Sequence, residues 1–223
     1  MKTLIVTSCT AKKMNIPGYA GVFYQGLQHH YVSHGVRDMR DTYGMFGMGL
    51  YIISAKYGLL KELDMVSPYN TTFNSMSNKE ILSTARELQI HNDMSREAQK
   101  WDLIIYLLGK QYVQALELPL TKNDHTTHVF LLGSTYKDMI PDQPNYHFID
   151  AGSTLAKELG VQNIALKGYI IKRLGEHIKE AENKVLLPAI MKNPEVLKLF
   201  IDALVLSRQD QLAEEKEKQV SLI

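Results

Sequence analysis

Ile52-Ile53-Ser54-Ala55-Lys56-Tyr57-Gly58-Leu59-Leu60 is the stretch whose reading decides the fold. Leu50 to Ser54 is a short apolar run rich in β-branched residues and is expected to be a buried strand. It ends on a hydroxyl, an ammonium and a phenol, and Gly58 then permits a turn. Ser54 and Lys56 lie two residues apart, so on extended backbone they share a face. Open α/β sheets place their ligand sites beyond the carboxyl ends of their strands. Polar groups at this end therefore predict one wall of a site.

Working outward, the same pattern recurs. Leu4 to Thr7 is the first strand, and Ser8 to Gly21 after it is a loop with Pro, Gly, Asn and lysines. Trp101 to Leu108 is a strand stopped by Gly109, His128 to Leu132 one stopped by Gly133-Ser134, and His147 to Ile149 one stopped by Asp150. Helical signals fall between them. Tyr24 to Val36 is a weakly patterned helix, while Gly35 to Gly49, rich in Gly and Met, carries no assignable pattern. Ser77-Asn78-Lys79-Glu80 fits a capping box ahead of Ile81, Leu82, Ala85 and Leu88 at helical spacing. Lys110 to Leu116 is a helix, and Ser153 to Leu159 is one closed by Gly160. This alternation predicts a three-layer α/β/α sandwich with a mainly parallel sheet of four or five strands.

After Val161 the strand signals end. Ile164 to Ile178 mixes apolar and basic residues at helical spacing, and Asn193-Pro194-Glu195 is a helix start. Val196, Leu199, Phe200, Ala203 and Leu204 are expected to form its buried stripe. Ala213 to Lys218 is expected to be a charged, frayed end. The division that follows is an α/β domain over 1–160 and a C-terminal helical extension, 161–223, packed on it.

Composition narrows the function. The chain has 223 residues, 45% of them apolar, and none of its apolar runs reaches the roughly 18 residues of a spanning helix. The apolar run near Met1 is too short for a signal peptide, so a cytoplasmic protein with no membrane partner is expected. Cys9 is the single cysteine, which excludes an intramolecular disulfide and cysteine-rich zinc sites. A net charge of +1 excludes a uniformly basic nucleic-acid coat and leaves only a local basic face. Lys12 to Lys61 holds six Lys/Arg against Asp38 and Asp41, an asymmetry that a solvated surface explains equally well.

Several residue groups carry chemistry. Hydroxyls, backbone N–H groups and lysines in Ser8-Cys9-Thr10-Ala11-Lys12-Lys13 suit an anion. Without the glycines of a P-loop, no nucleoside triphosphate is expected. The plain alternative is a polar turn with solvated lysines. A Cys9 nucleophile needs an adjacent base, and none of the eight histidines is assigned to it, so a buried, inert cysteine is the better reading. Ser54 and Lys56 suit a ligand site better than a Ser–Lys nucleophile pair. Glu62, Asp64 and Pro68-Tyr69-Asn70 could serve a nucleobase: a phenol face stacks, an amide reads an edge, and a carboxylate acts on water or on positive charge. Tyr69 is equally readable as a packed aromatic, and Asp150 as a helix cap. Gln111 and Tyr112 could line the same rim. His29-His30 and His34 lack the carboxylate of a His-Glu-x-x-His pattern, so no metal or other cofactor is expected.

Taken together, the Ser8-to-Lys13 strand end, Ser54-Ala55-Lys56-Tyr57-Gly58-Leu59-Leu60, Pro68-Tyr69 and the Leu131-Leu132-Gly133 strand resemble a family of uncharacterised bacterial and phage domains described as YaaA-like. The resemblance spans about residues 1–160, and its nearest functional match is the antiphage DNA glycosylases that excise glucosylated hydroxymethylcytosine. Where many members carry a Gly-Leu-Gly-Ile-Gly-like segment, this chain has Asp150-Ala151-Gly152-Ser153-Thr154.

What the resemblance implies is a monofunctional DNA glycosylase of antiviral defence acting on modified phage DNA. Its base would be flipped into a pocket formed by Ser8, Cys9, Lys12, Lys13, Ser54, Lys56, Tyr57, Tyr69 and Gln111. Asp64 or Asp150, helped by Asn70, would act on the cationic sugar. No motif marks a Schiff-base lysine, so hydrolysis is favoured over a lyase step. The rival expectations are a non-catalytic nucleic-acid-binding stress or defence protein and an enzyme like nucleoside deoxyribosyltransferases.

Overall fold

The computed structural model describes residues 1–120 and 125–220. Its centre is a six-stranded sheet. β1 (Thr3–Ser8) pairs in parallel with β3 (Met48–Ser54) on one side and with β6 (Leu103–Leu107) on the other. β7 (Thr127–Leu132) and β8 (Tyr146–Asp150) extend the parallel run beyond β6. β4 (Gly58–Lys61) pairs antiparallel with β3 and closes the opposite edge, giving the order β4-β3-β1-β6-β7-β8. A two-stranded ribbon of β2 (Gly18–Tyr19) and β5 (Met65–Val66) stands apart. Every residue of β3 and β6 is buried, as both-face coverage demands of a parallel sheet.

Helices supply the outer layers. α1 (Ala20–Phe23) and α2 (Leu27–Tyr43) link β1 to β3. α3 (Asn78–Glu87), α4 (Ile90–Ala98) and α5 (Lys110–Ala115) form a second group. The capping box opens α3 as expected: Ser77 accepts from the Glu80 N–H, and Glu80 accepts from the Ser77 N–H at 2.7 Å. α6 (Ser153–Glu158) is followed by α7 (Leu166–Glu180), α8 (Leu186–Lys192) and α9 (Glu195–Val220).

The three-layer sandwich and the C-terminal helices are as the sequence predicts, with differences of detail. The sheet has a sixth strand, because the Ser54-to-Gly58 segment is a hairpin turn rather than a strand end. Ser54 pairs with Gly58, whose φ of 73° lets the chain reverse into β4. α2 runs through Gly35 and stops at Gly44, in the left-handed region at φ 79°. The stripe of α9 is partly as expected: Val196, Phe200 and Leu204 pack half-buried against the core, but its centre is Leu197 and Ile201, and Leu199 and Ala203 are exposed. The charged Ala213 to Lys218 stretch belongs to α9.

α7 is more than an appendage. It makes the most extensive helix pair of the molecule with α2. A Cβ added at Gly35 would fall inside the van der Waals shell of the Ile171 carbonyl, and one at Gly175 inside that of the Gly35 carbonyl. One at Gly168 would collide with the Gln28 backbone. The two helices therefore meet backbone to backbone. Lys179 on α7 anchors the far end, 3.2 Å from the buried Asp38 and 2.7 Å from Asp41 on α2.

Gly175→Ala is expected to lower the melting temperature by roughly 5–10 °C, since overpacking costs about 1–3 kcal/mol and a backbone neighbour cannot yield. Gly109→Ala, where an added Cβ meets nothing within 4 Å, should melt within about 2 °C of wild type. Thermal unfolding followed by circular dichroism checks both.

Candidate functional site

β1 and β6 are neighbours whose connections depart in opposite directions, β1 toward β3 and β6 toward β7. Such a switch point leaves a crevice beyond the carboxyl ends of the two strands. A cleft of about 1310 Å³ occupies it. Ser8, Cys9, Thr10 and Lys12 come from the end of β1, and Gly109, Lys110 and Tyr112 from the end of β6. Gly133, Tyr136 and Gly152 come from the loops after β7 and β8; Gln28, His29 and His30 from the first turn of α2; Lys167 from the start of α7. Gly26 is required at the mouth, because a Cβ there would meet the Thr10 side chain at 2.7 Å, whose Oγ1 accepts the Gly26 N–H at 3.2 Å.

The charge of this lining is one-sided. It includes Lys12, Lys110 and Lys167, and no Asp or Glu. The N-terminus of α2 opens on the cleft at Gly26 without a side-chain cap. A helix N-terminus among ammonium groups favours a negatively charged ligand.

The central floor is organised around the end of β6. Gln28 Nε2 donates to Thr7 Oγ1 at 3.2 Å and to the Leu107 carbonyl at 3.1 Å. Lys167 Nζ donates to the Leu108 carbonyl. Lys12 and Lys110 are exposed, whereas Lys167 is half-buried. No carboxylate among the described residues pairs with it, and loss of hydration pulls its ammonium down to about 8. His29 is buried, its Nε2–H donating to the Gly21 carbonyl at 2.9 Å, and burial lowers its pKa as well.

A chain of hydroxyls backs the β1 side. Cys9 Sγ lies 3.0 Å from Tyr112 Oη, which lies 3.3 Å from Thr72 Oγ1. Tyr24 Oη is 2.9 Å from Tyr69 Oη, which is 2.8 Å from Ser54 Oγ. Burial raises the Tyr24 phenol to about 12 and raises those of Tyr69 and Tyr112 as well, so these groups act as neutral donors and acceptors.

The residues singled out from sequence divide into three sets. Ser8, Cys9 and Lys12 line the cleft. Cys9 is buried with a phenol partner, as an inert thiol should be. Asp150 borders the cleft: its Oδ1 accepts the Ser134 N–H at 3.0 Å and lies 3.2 Å from where a Cβ on the lining residue Gly152 would stand. Lys13 and Tyr69 stand one layer back, Lys13 Nζ lying 4.5 Å over the Tyr69 ring.

The third set lies elsewhere. Ser54 reaches the cleft only through the hydroxyl chain behind it: it is fully buried, and its Oγ accepts the N–H groups of Lys56 and Tyr57, so it shapes the hairpin turn. Lys56 and Tyr57 project from that turn, and Tyr57 bonds the backbone of Ser67. Asp64 closes the next turn by accepting the Lys61 N–H at 2.7 Å. Asn70 is exposed away from the lining, and Gln111 sits between two lining residues without joining them. Among the described residues, no three His, Cys, Asp or Glu side chains cluster in a way that could hold a metal. No helix among them is long and apolar enough to cross a membrane.

Sequence reasoning missed Gln28 and Lys167, the two side chains that organise the floor. Both come from the first turns of helices on opposite sides of the chain. The usable signal was small residues, Gly35, Gly168 and Gly175, at spacings that let α2 and α7 touch.

Fold and cleft together define a mainly parallel α/β protein with an electropositive ligand crevice at its switch point. The chain belongs to the family described as "Family of unknown function (DUF6884)", whose model matches residues 4–140. It is also 30% identical over 106 residues to a "UPF0246 protein" of Lachnoclostridium phytofermentans. That similarity covers 45% of this chain and 39% of the relative, so the chain aligns with well under two thirds of that protein. Both findings agree with the expected membership of an uncharacterised family. Lys167 lies beyond the family match.

The desolvated lysine gives a test by linkage. Its folded-state pKa, about 8, lies below the ordinary value of 10.5. Between those values the unfolded chain binds more protons, so stability contributed at this site rises with pH. Melting temperatures at pH 7.5 and 10 should therefore show wild type gaining on Lys167→Met; an unchanged difference would place Lys167 in water.

Proposed function

We propose that the cleft takes a nucleotide extruded from DNA and that the protein hydrolyses its N-glycosidic bond, releasing a modified base and leaving an abasic site. The observation that carries this reading is the cleft's charge and place: about 1310 Å³ at the switch point, with three lysines and no carboxylate in its lining. Drug-sized ligands occupy pockets of about 300–1,000 Å³, so a nucleotide carrying a sugar-modified base has room. Resemblance to antiphage glycosylases supports glucosylated hydroxymethylcytosine as that base.

In this reading Lys12 and Lys110 take phosphates, and Tyr136, partly exposed on the lining with Lys110 Nζ 5.6 Å above its ring, offers a face for stacking. Flipping a nucleotide costs a few kcal/mol, which stacking and phosphate contacts offset. Of the two candidate carboxylates, Asp150 is favoured because it borders the cleft. It would stabilise the cationic sugar or orient water. Asp64, tied into the Lys61 turn, is given no part.

The absence of a carboxylate from the lining itself favours one rival, a nucleic-acid-binding protein without chemistry. Incubation with unmodified, hydroxymethylated and glucosylated duplexes separates the readings. Released base and abasic sites from modified DNA support hydrolysis. Retarded mobility alone supports binding, and turnover of free nucleosides supports a deoxyribosyltransferase. Asp150→Asn keeps the bond to Ser134 and should reduce base release about 100-fold or more while leaving affinity intact. Lys12→Ala and Lys110→Ala should each weaken binding and lower the salt slope of affinity by about 1.

A further inference from the structure

Lys167 is set apart from the other lysines of the cleft by its surroundings. Its side chain leaves the first turn of α7, where Gly168 lies against the Gln28 backbone, and its ammonium reaches the carbonyl of Leu108 at the end of β6. It thus stands at the switch point itself, beside the Gly109 loop, and forms part of the cleft lining. Lys12 and Lys110 are exposed, as phosphate-holding ammonium groups should be. Lys167 has one carbonyl as its hydrogen-bond partner and, among the described residues, no carboxylate to hold it charged.

A desolvated lysine of this kind is suited to act as an amine nucleophile rather than as a fixed charge. Burial, which brings its pKa to about 8, makes the neutral amine accessible near physiological pH.

We infer that Lys167 is the amine nucleophile of the cleft and that it captures an aldehyde, the ring-opened deoxyribose left at an abasic site, as a covalent imine. The Nζ lone pair forms the bond to C1′. The carbonyl oxygen leaves as water, carrying away the two amine hydrogens, and no electrons are exchanged with any further reagent. Hydrolysis of the imine returns both partners. The identity of this aldehyde rests on the glycosylase reading; the reactivity of the amine does not.

Two probes test the two parts separately. The full chain is incubated with 2-deoxyribose 5-phosphate and cyanoborohydride, and with a labelled duplex holding one preformed abasic site and borohydride. The expected result is a single reduced adduct that peptide mass spectrometry places on Lys167, and a denaturant-stable protein–DNA cross-link at the same residue. Lys167→Arg and Lys167→Gln should lose at least about 10-fold of each adduct, whereas Lys198→Ala on α9 should not. Melting curves confirm that the variants fold, and mapping the wild-type adduct needs no variant. An adduct on Lys167 with the sugar phosphate but none with abasic DNA would keep the amine and remove the DNA assignment. Adducts spread over surface lysines, or none at Lys167 with either probe, overturn the inference.

Discussion

The backbone contact between α2 and α7 is the constraint on which the site depends. Gly35, Gly168 and Gly175 remove the side chains that would otherwise hold the helices apart, and the gap closes until carbonyls of one meet α-carbons of the other. Packed interiors do not deform continuously, so this approach fixes the position of everything carried on the first turns. Gln28 and Lys167 are consequently delivered together to the carbonyls at the end of β6. A larger residue at any of these glycines would separate the helices and open the floor of the cleft.

The cleft so formed brings positive groups together without neutralising them. Several cations elsewhere are paired: Arg40 binds Glu62, and Arg86 Nε donates to both oxygens of Glu117 at 3.0 Å. Lys12, Lys110 and Lys167 have no such partner among the described residues. Buried or clustered like charges oppose folding, and their presence in a concave site at a switch point is the signature of a surface shaped for a ligand. A phosphate-bearing ligand would complete the missing half of the interaction.

Much of the fold was legible in the sequence because it is written in local patterns. Buried β-branched runs marked β1, β3, β6, β7 and β8, and Ser77 with Glu80 marked the start of α3. β4 escaped because it has four residues and begins at a left-handed glycine. The site was legible only in part. The end of β1 contributes as expected, since the residue after a central strand has few other places to go. The Ser54-to-Tyr57 segment was misleading for a physical reason: a hairpin turn and a strand-to-helix loop both need polar groups after an apolar run, and only the pairing of Ser54 with Gly58 tells them apart. Lys167 was illegible because its importance arises from a helix–helix contact spanning more than a hundred residues of chain.

Amide hydrogen exchange in the presence and absence of a duplex containing a single abasic site tests the central claim most directly, because protection reports local closure of backbone segment by segment. Protection should gather in the loops that follow β1, β6, β7 and β8 and in the first turns of α2 and α7. If it gathers instead on the β3–β4 hairpin and the Lys61–Asp64 turn, or if no segment changes, the switch-point cleft is not where this protein meets its ligand.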